Sequence, residues 1–327
     1  MGKKYQVLIT TVSFMLFSFL LNAQKSPVAC NGQLKIEGAH LKNERAEIIQ
    51  LRGMSLFWSQ WEPEFYVEKT VSTLKNNWKC NVVRAALAVE YDGYLVYPQR
   101  EQAKIETIIE AAIKHGIYVI VDWHDHHAED HLEESKAFFT KISKKYGHYP
   151  NVIYEVYNEP LNVSWDKVLK PYHSEIIKTI RANDPDNIIV CGTPNWSQRV
   201  DFVIDNPIDK KNIAYTLHFY ADSHRQELRD IAVKVIKASV PIFVTEYGCT
   251  DASGGGIVNK EQTEIWWDLL DHNKISYCNW SVSDKDEACS VLSPYSKVDD
   301  LPDDHKLTVA GKLIKKKLIA SYLQCED

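Results

Sequence analysis

The sequence lacks the features that mark nucleic-acid, dinucleotide and thiol-redox proteins. Its 38 Lys and Arg are outnumbered by 44 Asp and Glu, giving a formal net charge of −6, and no long run of one sign occurs. No nucleic-acid partner is therefore expected. The triplet Lys315-Lys316-Lys317 reads as the wet face of a last helix. No Gly-rich phosphate fingerprint follows the first strand-like run, which argues against a dinucleotide-binding sheet. None of the seven cysteines stands in C-x-x-C or zinc-knuckle spacing. There is no internal repeat and no low-complexity linker. Past the first residues, no apolar run is long enough to cross a bilayer.

Those first residues are a class apart. Lys3 and Lys4 precede an apolar run from Val7 to Leu21, then Asn22-Ala23-Gln24. A basic start, an apolar middle and a small residue before a cut make a signal peptide, with cleavage expected after Ala23. Residues 1–23 are read as the signal and residues 24–327 as one exported domain, clear of the membrane once cleaved. An exported chain permits disulfides. Cys191 and Cys278 sit inside apolar strand-like runs and read as buried thiols, and an odd cysteine count leaves at least one thiol over.

What the chain has is alternation. Strand-like runs fall at Ile48–Leu56, Val82–Val89, Tyr118–His124, Val152–Glu159, Asn187–Pro194, Ile213–Tyr220, Pro241–Gly248 and Ser276–Ser283. Near-continuous apolar stretches such as Tyr118-Val119-Ile120-Val121 suit strands buried on both faces. Between them lie helical patterns. The clearest is Ile105, Ile108, Ile109, Ala112 and Ile113, stopped by Gly116. Leu132–Tyr146, Trp165–Ala182, Gln226–Ala238, Glu261–His272 and Leu307–Tyr322 read the same way. Eight such units predict an α/β protein, a single-domain (β/α)8 TIM barrel. Ser26–Arg45 is expected to form a short N-terminal hairpin over the barrel floor.

In this fold, catalytic groups project from the C-terminal ends of strands. Here those ends carry residues that a core does not want: Arg84, His124, Asn158-Glu159, His218 with Tyr220, Glu246 and Trp280. Two carboxylates from separate strands suggest acid/base chemistry on a neutral substrate, and glycoside cleavage needs such a pair. One must stay protonated and the other ionised. If Arg84 pairs with Glu246 it would hold that group ionised, leaving Glu159 as the acid. Strand 7 and strand 8 are neighbours in a barrel, so a Cys249–Cys289 bridge is a further expectation.

Val152-Ile-Tyr-Glu-Val-Tyr-Asn-Glu-Pro160 resembles the acid/base signature of glycoside hydrolase family 5, and Pro241-Ile-Phe-Val-Thr-Glu-Tyr-Gly248 resembles its nucleophile segment. Gly192–Gln198 and Trp280–Lys285 are similar to the bacterial-type endoglucanases of subfamily 2. The likeness runs from Arg52-Gly53-Met54-Ser55 to the last helix. It implies a retaining endo-β-1,4-glucanase with Glu246 as nucleophile and Glu159 as acid/base, acting on cellulose-type glucan without a cofactor or metal, secreted and monomeric. It further implies that Asn158 binds the 2-hydroxyl, that Arg84 and Tyr220 fix Glu246, that His218 orients Glu159, that His124 binds the sugar and that Trp280 floors it. Trp61 and Trp196 match sugar platforms; Lys285 and Glu287 match polar sugar contacts. One departure is Leu56-Phe57-Trp58, where the bacterial enzymes often carry a His.

Three other readings compete. The stretch His124-Asp125-His126-His127-Ala128-Glu129-Asp130-His131 invites a metal hydrolase or a secondary surface metal site. A binding protein that has lost catalysis would usually lack one carboxylate, and both are present. Mannan, xylan or mixed-linkage glucan would change the substrate without changing the chemistry.

Overall fold

The computed structural model describes residues 25–322; the signal-peptide reading of residues 1–23 falls outside them. The chain starts with the short helix α1 (Pro27–Asn31), capped by the Ser26 side chain, which accepts from the Ala29 amide at 3.2 Å. A hairpin follows, β1 (Lys35–Glu37) against β2 (His40–Lys42), antiparallel. It is the hairpin expected from Ser26–Arg45, with α1 added before it. Leu34, Leu41 and Leu51 pack with Tyr118, Ile120, Ile153, Ile188, Val190 and Phe243, so the hairpin plugs one end of the barrel with apolar surface.

The barrel strands are β3 (Arg52–Leu56), β4 (Val82–Ala88), β5 (Tyr118–His124), β6 (Val152–Glu155), β7 (Ile189–Cys191), β8 (Ile213–Thr216), β9 (Phe219–Tyr220), β10 (Ile242–Gly248) and β11 (Tyr277–Val282). Each stave pairs in parallel with the next, and β11 closes the ring on β3. β8 and β9 both pair with β10 and share one stave, so the ring has the eight staves of a (β/α)8 TIM barrel. β4 and β5 are buried along their whole length because helices cover the outside. Gly53 is where β3 comes close to its neighbour: a Cβ there would collide with the Val82 carbonyl oxygen.

The outer helices are α2 (Glu68–Asn77), α3 (Pro98–His115), α4 (Leu132–Tyr146), α5 (Lys170–Arg181), α6 (Gln226–Lys237), α7 (Lys260–His272) and α8 (Val309–Ala320). α3 opens on Pro98 and ends on Gly116 at φ 68°, as its pattern predicts. α2 escapes the sequence reading because its buried positions include Thr70, Val71 and Thr73, β-branched residues that helices disfavour. The expected helix Trp165–Ala182 divides into a wide turn, Trp165–Leu169, and α5. Pro171, one residue into α5, has no N–H for the preceding turn.

The strand read as Val152–Glu159 leaves its ladder after Glu155. Val156 N–H still reaches Val190 O on one side, but Asn158 N–H goes to Trp123 O and Glu159 N–H to Asp125 O on the other. This change of partner lifts Asn158 and Glu159 to the barrel mouth.

Candidate active site

The barrel mouth is organised around one buried cation. Arg84 on β4 is fully buried. Its Nε donates to Glu155 Oε2 at 2.7 Å and its Nη1 to Glu246 Oε2 at 2.9 Å. Nη2 donates to Asn158 Oδ1 at 2.6 Å and lies 2.9 Å from Asp122 Oδ2. A guanidinium can fill five donor positions at once, which a lysine cannot, and only such multiple pairing offsets the cost of burying it. Because Asn158 Oδ1 is taken by Arg84, its amide nitrogen is the end left for the cleft.

Glu246 on β10 accepts from Arg84 and, at 2.8 Å, from Tyr220 Oη on β9. Both partners donate, so the contacts suit the carboxylate. The sequence argument has Arg84 alone holding Glu246 ionised; here burial, with the Glu159 charge, raises its pKa, while His218, Arg84 and Tyr220 oppose the rise. The expected pairing is present, and the low dielectric outweighs it.

Glu159 and His218 are joined differently. His218 Nε2 lies 2.9 Å from Thr245 Oγ1, and Thr245 donates its proton to Glu155 Oε1 at 2.6 Å. Thr245 must therefore accept from Nε2–H, which turns Nδ1 toward Glu159 Oε1 at 3.0 Å. Nδ1 can accept the proton of a glutamic acid or donate to a glutamate, so the pair carries one movable proton. Burial pulls His218 down, but the nearby Glu155 carboxylate, the contact with Glu159 and the Glu246 charge outweigh it and push it up to about 9. A raised pKa means that this proton's stabilisation is complete below the ordinary histidine value and is lost as pH rises through about 9. The alkaline limb of any acid-catalysed reaction here is expected in that range. Thr245→Val removes the Nε2 acceptor and is expected to move the limb to lower pH. A limb unmoved in that variant would contradict the relay.

His124 ends β5, and its Nδ1 lies 2.7 Å from Asp122 Oδ2. Burial and the Arg84 charge hold it neutral, well below the usual histidine range. Asp122 Oδ2 is ion-paired with Arg84 and accepts from Nδ1–H, so Nε2 is the acceptor left to the cleft. Trp280 on β11 stacks on His124 with ring centroids 5.2 Å apart and planes 2° from parallel. Phe57 also packs against Trp280, with ring centroids 5.1 Å apart and planes tilted by 42°. Trp58 meets His124 edge-on at 4.3 Å, so the departure Leu56-Phe57-Trp58 adds aromatic wall.

One side of the mouth is lined by Trp58, Trp61, His124, Asn158, Trp280, Lys285 and Glu287. The other is lined by Trp196, Gln198, His218 and His224. Glu159, Tyr220 and Glu246 border both, so the two form one groove with the carboxylates at its middle. Trp61 and Trp196 are 52% and 44% exposed, too much for core anchors. Trp196 is held out by a left-handed turn, with φ near 59°, 55° and 56° at Asn195, Trp196 and Ser197. Such residues cost on the order of 1–3 kcal/mol each and persist where surroundings over-determine them; Ser197 Oγ donates to Asn158 O at 2.8 Å. Lys285 pairs with Glu287 at 2.5 Å. A concavity of 820 Å³ at the hairpin end of the barrel contains none of these groups.

All twelve site residues named from the sequence therefore line this groove or touch a residue that does. Asp122, Glu155 and Thr245 were missed. Their signal is position: Asp122 and Glu155 are register partners in otherwise apolar strands, and Asp122 shares a strand face with His124. The Cys249–Cys289 bridge is overturned, since both are free thiols. Neighbouring strands bring the residues near, but Cys249 Sγ faces Asn279 and Cys289 Sγ turns to Glu287 Oε1 at 3.2 Å. Cys191 and Cys278 are buried free thiols, as read, and Cys30 is disulfide-bonded.

The model of one protein family, the cellulases of glycosyl hydrolase family 5, matches residues 41–286. Endoglucanase Z of Dickeya dadantii is 44% identical over 297 residues, which is 90% of this chain and 66% of that protein. A solved structure from Cytophaga hutchinsonii superposes with a TM-score of 0.90 at 47% identity, covering 91% of this chain and 98% of that one. The catalytic domain of Thermobifida fusca endoglucanase Cel5A, solved as a variant with cellotetraose, superposes at 0.85 with 30% identity, covering 90% and 100%.

Proposed function

From its membership of glycosyl hydrolase family 5, to which this chain belongs, we propose that it is a retaining endo-β-1,4-glucanase acting on cellulose-type glucans. The observation that carries the reading is the spacing of its two glutamates. A carboxylate oxygen of Glu159 and one of Glu246 lie within 4.8 Å of each other. Retaining glycosidases hold their carboxyl groups about 5–5.5 Å apart, whereas inverting ones leave about 6.5–9.5 Å for a water.

In the first step Glu246 attacks the anomeric carbon and Glu159 gives its proton to the departing glycosidic oxygen. The C–O bond to the leaving sugar breaks as the C–O bond to Glu246 forms. In the second step Glu159 takes a proton from water, the hydroxyl adds to the anomeric carbon and Glu246 leaves. Arg84 and Tyr220 position Glu246, His218 positions Glu159, Asn158 and His124 bind sugar hydroxyls, and Trp280 floors the cleavage subsite. Trp61 and Trp196 are platforms on either side, with Lys285 and Glu287 as polar contacts. A groove that continues past the carboxylates in both directions suits attack on internal bonds. Residues 1–23 act as the export signal, and residues 24–327 work outside the cell as a monomeric catalytic domain.

The stereochemistry tests the mechanism. Proton NMR of early cellotetraose hydrolysis is expected to show the β-anomer first, with the α-anomer appearing only by mutarotation. Initial release of the α-anomer would rule out the covalent step.

A further inference from the structure

The loops that leave β3 and β11 meet at three carboxylates that the reaction does not use. Glu62 directly follows Trp61, Glu64 lies in the next turn, Pro63–Phe65, and Asp284 directly precedes Lys285. One carboxylate oxygen from each lies within 4.8 Å of the other two. Among the described residues, none of the three is ion-paired to a lysine, arginine or histidine.

Acidic surface clusters are common and by themselves mean little. Glu62 makes this one different. It is only 8% exposed, and its Oε2 is buried without a hydrogen-bond partner. A buried acceptor with no donor leaves its desolvation cost uncompensated, the more so if it is charged. Burial first, then the Asp284 charge, push the Glu62 carboxyl up to about 8.

We propose that Glu62, Glu64 and Asp284 form a Ca2+ site that clamps the β3 loop to the β11 loop. The donor set is all oxygen, with no imidazole or thiol, which selects a hard cation. Three carboxylates offer up to six oxygens, and the exposed side of Glu64 admits water to complete the shell. The ligands come from two loops rather than a rigid frame, which suits the irregular coordination of Ca2+ better than the strict octahedron of Mg2+. A mixed cluster outside the groove centre, Glu90, Asp125 and His127, is a poorer candidate. Asp125 already accepts from Trp123 Nε1, His131 Nδ1 and the His127 amide.

Calcium titration of the EDTA-treated protein tests this by calorimetry and thermal melting. One equivalent should bind and raise Tm. Glu62→Gln and Asp284→Asn should melt as the metal-free wild type does and lose the calcium response, whereas His127→Ala should keep it. Absence of heat and of a Tm shift at millimolar Ca2+, or full binding in both carboxylate variants, would overturn the site.

The clamp's effect on substrate rests on the glucanase reading: Ca2+ should lower KM for cello-oligosaccharides at unchanged kcat in the wild type, and not in Glu62→Gln. The binding arm is independent of it. A protein inactive on glucans that still takes up calcium through Glu62 would sink the glucanase reading and leave the site.

Discussion

Glu246→Gln is expected to lower kcat on soluble glucan by on the order of 10^5-fold, leaving only residual turnover. The substitution removes the proposed nucleophile while keeping the side chain's shape. The amide oxygen of the substituted side chain can still accept from Tyr220 or Arg84, which hold Glu246 from two sides at 2.8 and 2.9 Å. Substrate binding should survive, because the groove walls are unchanged. The variant also removes one negative charge from a site where Arg84 faces Asp122, Glu155 and Glu246 together. The buried cation keeps two carboxylate partners, so folding should be preserved. Loss of kcat with Kd for cellotetraose within a few-fold of wild type, and with native Tm, is the expected pattern. A kcat reduced only a few-fold would show that Glu246 does not form the bond.

Glu159→Ala is expected to act on both steps, and by an amount that depends on the leaving group. Proton transfer contributes roughly 10^2–10^4-fold, so cleavage of unactivated cello-oligosaccharides should fall by that factor. An aryl cellobioside whose phenolate leaves without a proton should still react in the first step. The glycosyl-enzyme should then accumulate, because no base remains to activate water. An added azide ion, which needs no deprotonation, should restore turnover and yield the β-glycosyl azide. His218 loses its Glu159 partner in this variant, so its pKa should fall from about 9. Equal losses on activated and unactivated substrates, with no azide product, would assign Glu159 a merely structural place.

Much of this site is legible in the sequence because a barrel strand is a demanding background. In apolar runs such as Val82–Ala88 or Ile242–Gly248, an Arg84 or a Glu246 has no structural reason to be there alone. For Glu246, position toward the strand's C-terminal end then points to the mouth; Arg84, third in its strand, is found by its charge alone. The same logic reaches Asp122 and Glu155 only once they are seen as register partners facing Arg84, a relation across strands that no local pattern displays. Thr245 is harder still. A threonine is at home in a strand, and only its hydrogen bonds to His218 and Glu155 reveal the relay.

Two other failures have a shared cause. The Cys249–Cys289 expectation correctly places the residues on adjacent staves, yet side-chain direction decides whether sulfurs meet. The left-handed turn at Asn195–Ser197 looks in sequence like an ordinary loop. It is held by the Ser197 hydroxyl on the Asn158 carbonyl, far away in the chain. Boundaries slip where the ladder exchanges partners, as after Glu155, and that exchange is what delivers Glu159 to the groove.

The most direct measurement is the release of reducing ends from carboxymethyl-cellulose, with viscosity followed in parallel and Glu246→Gln as the control. The account predicts a steep fall in viscosity at a small number of reducing ends for the wild type, and neither change for the variant. No release by a folded wild type, with release instead from mannan or xylan, would contradict the assignment to β-1,4-glucan.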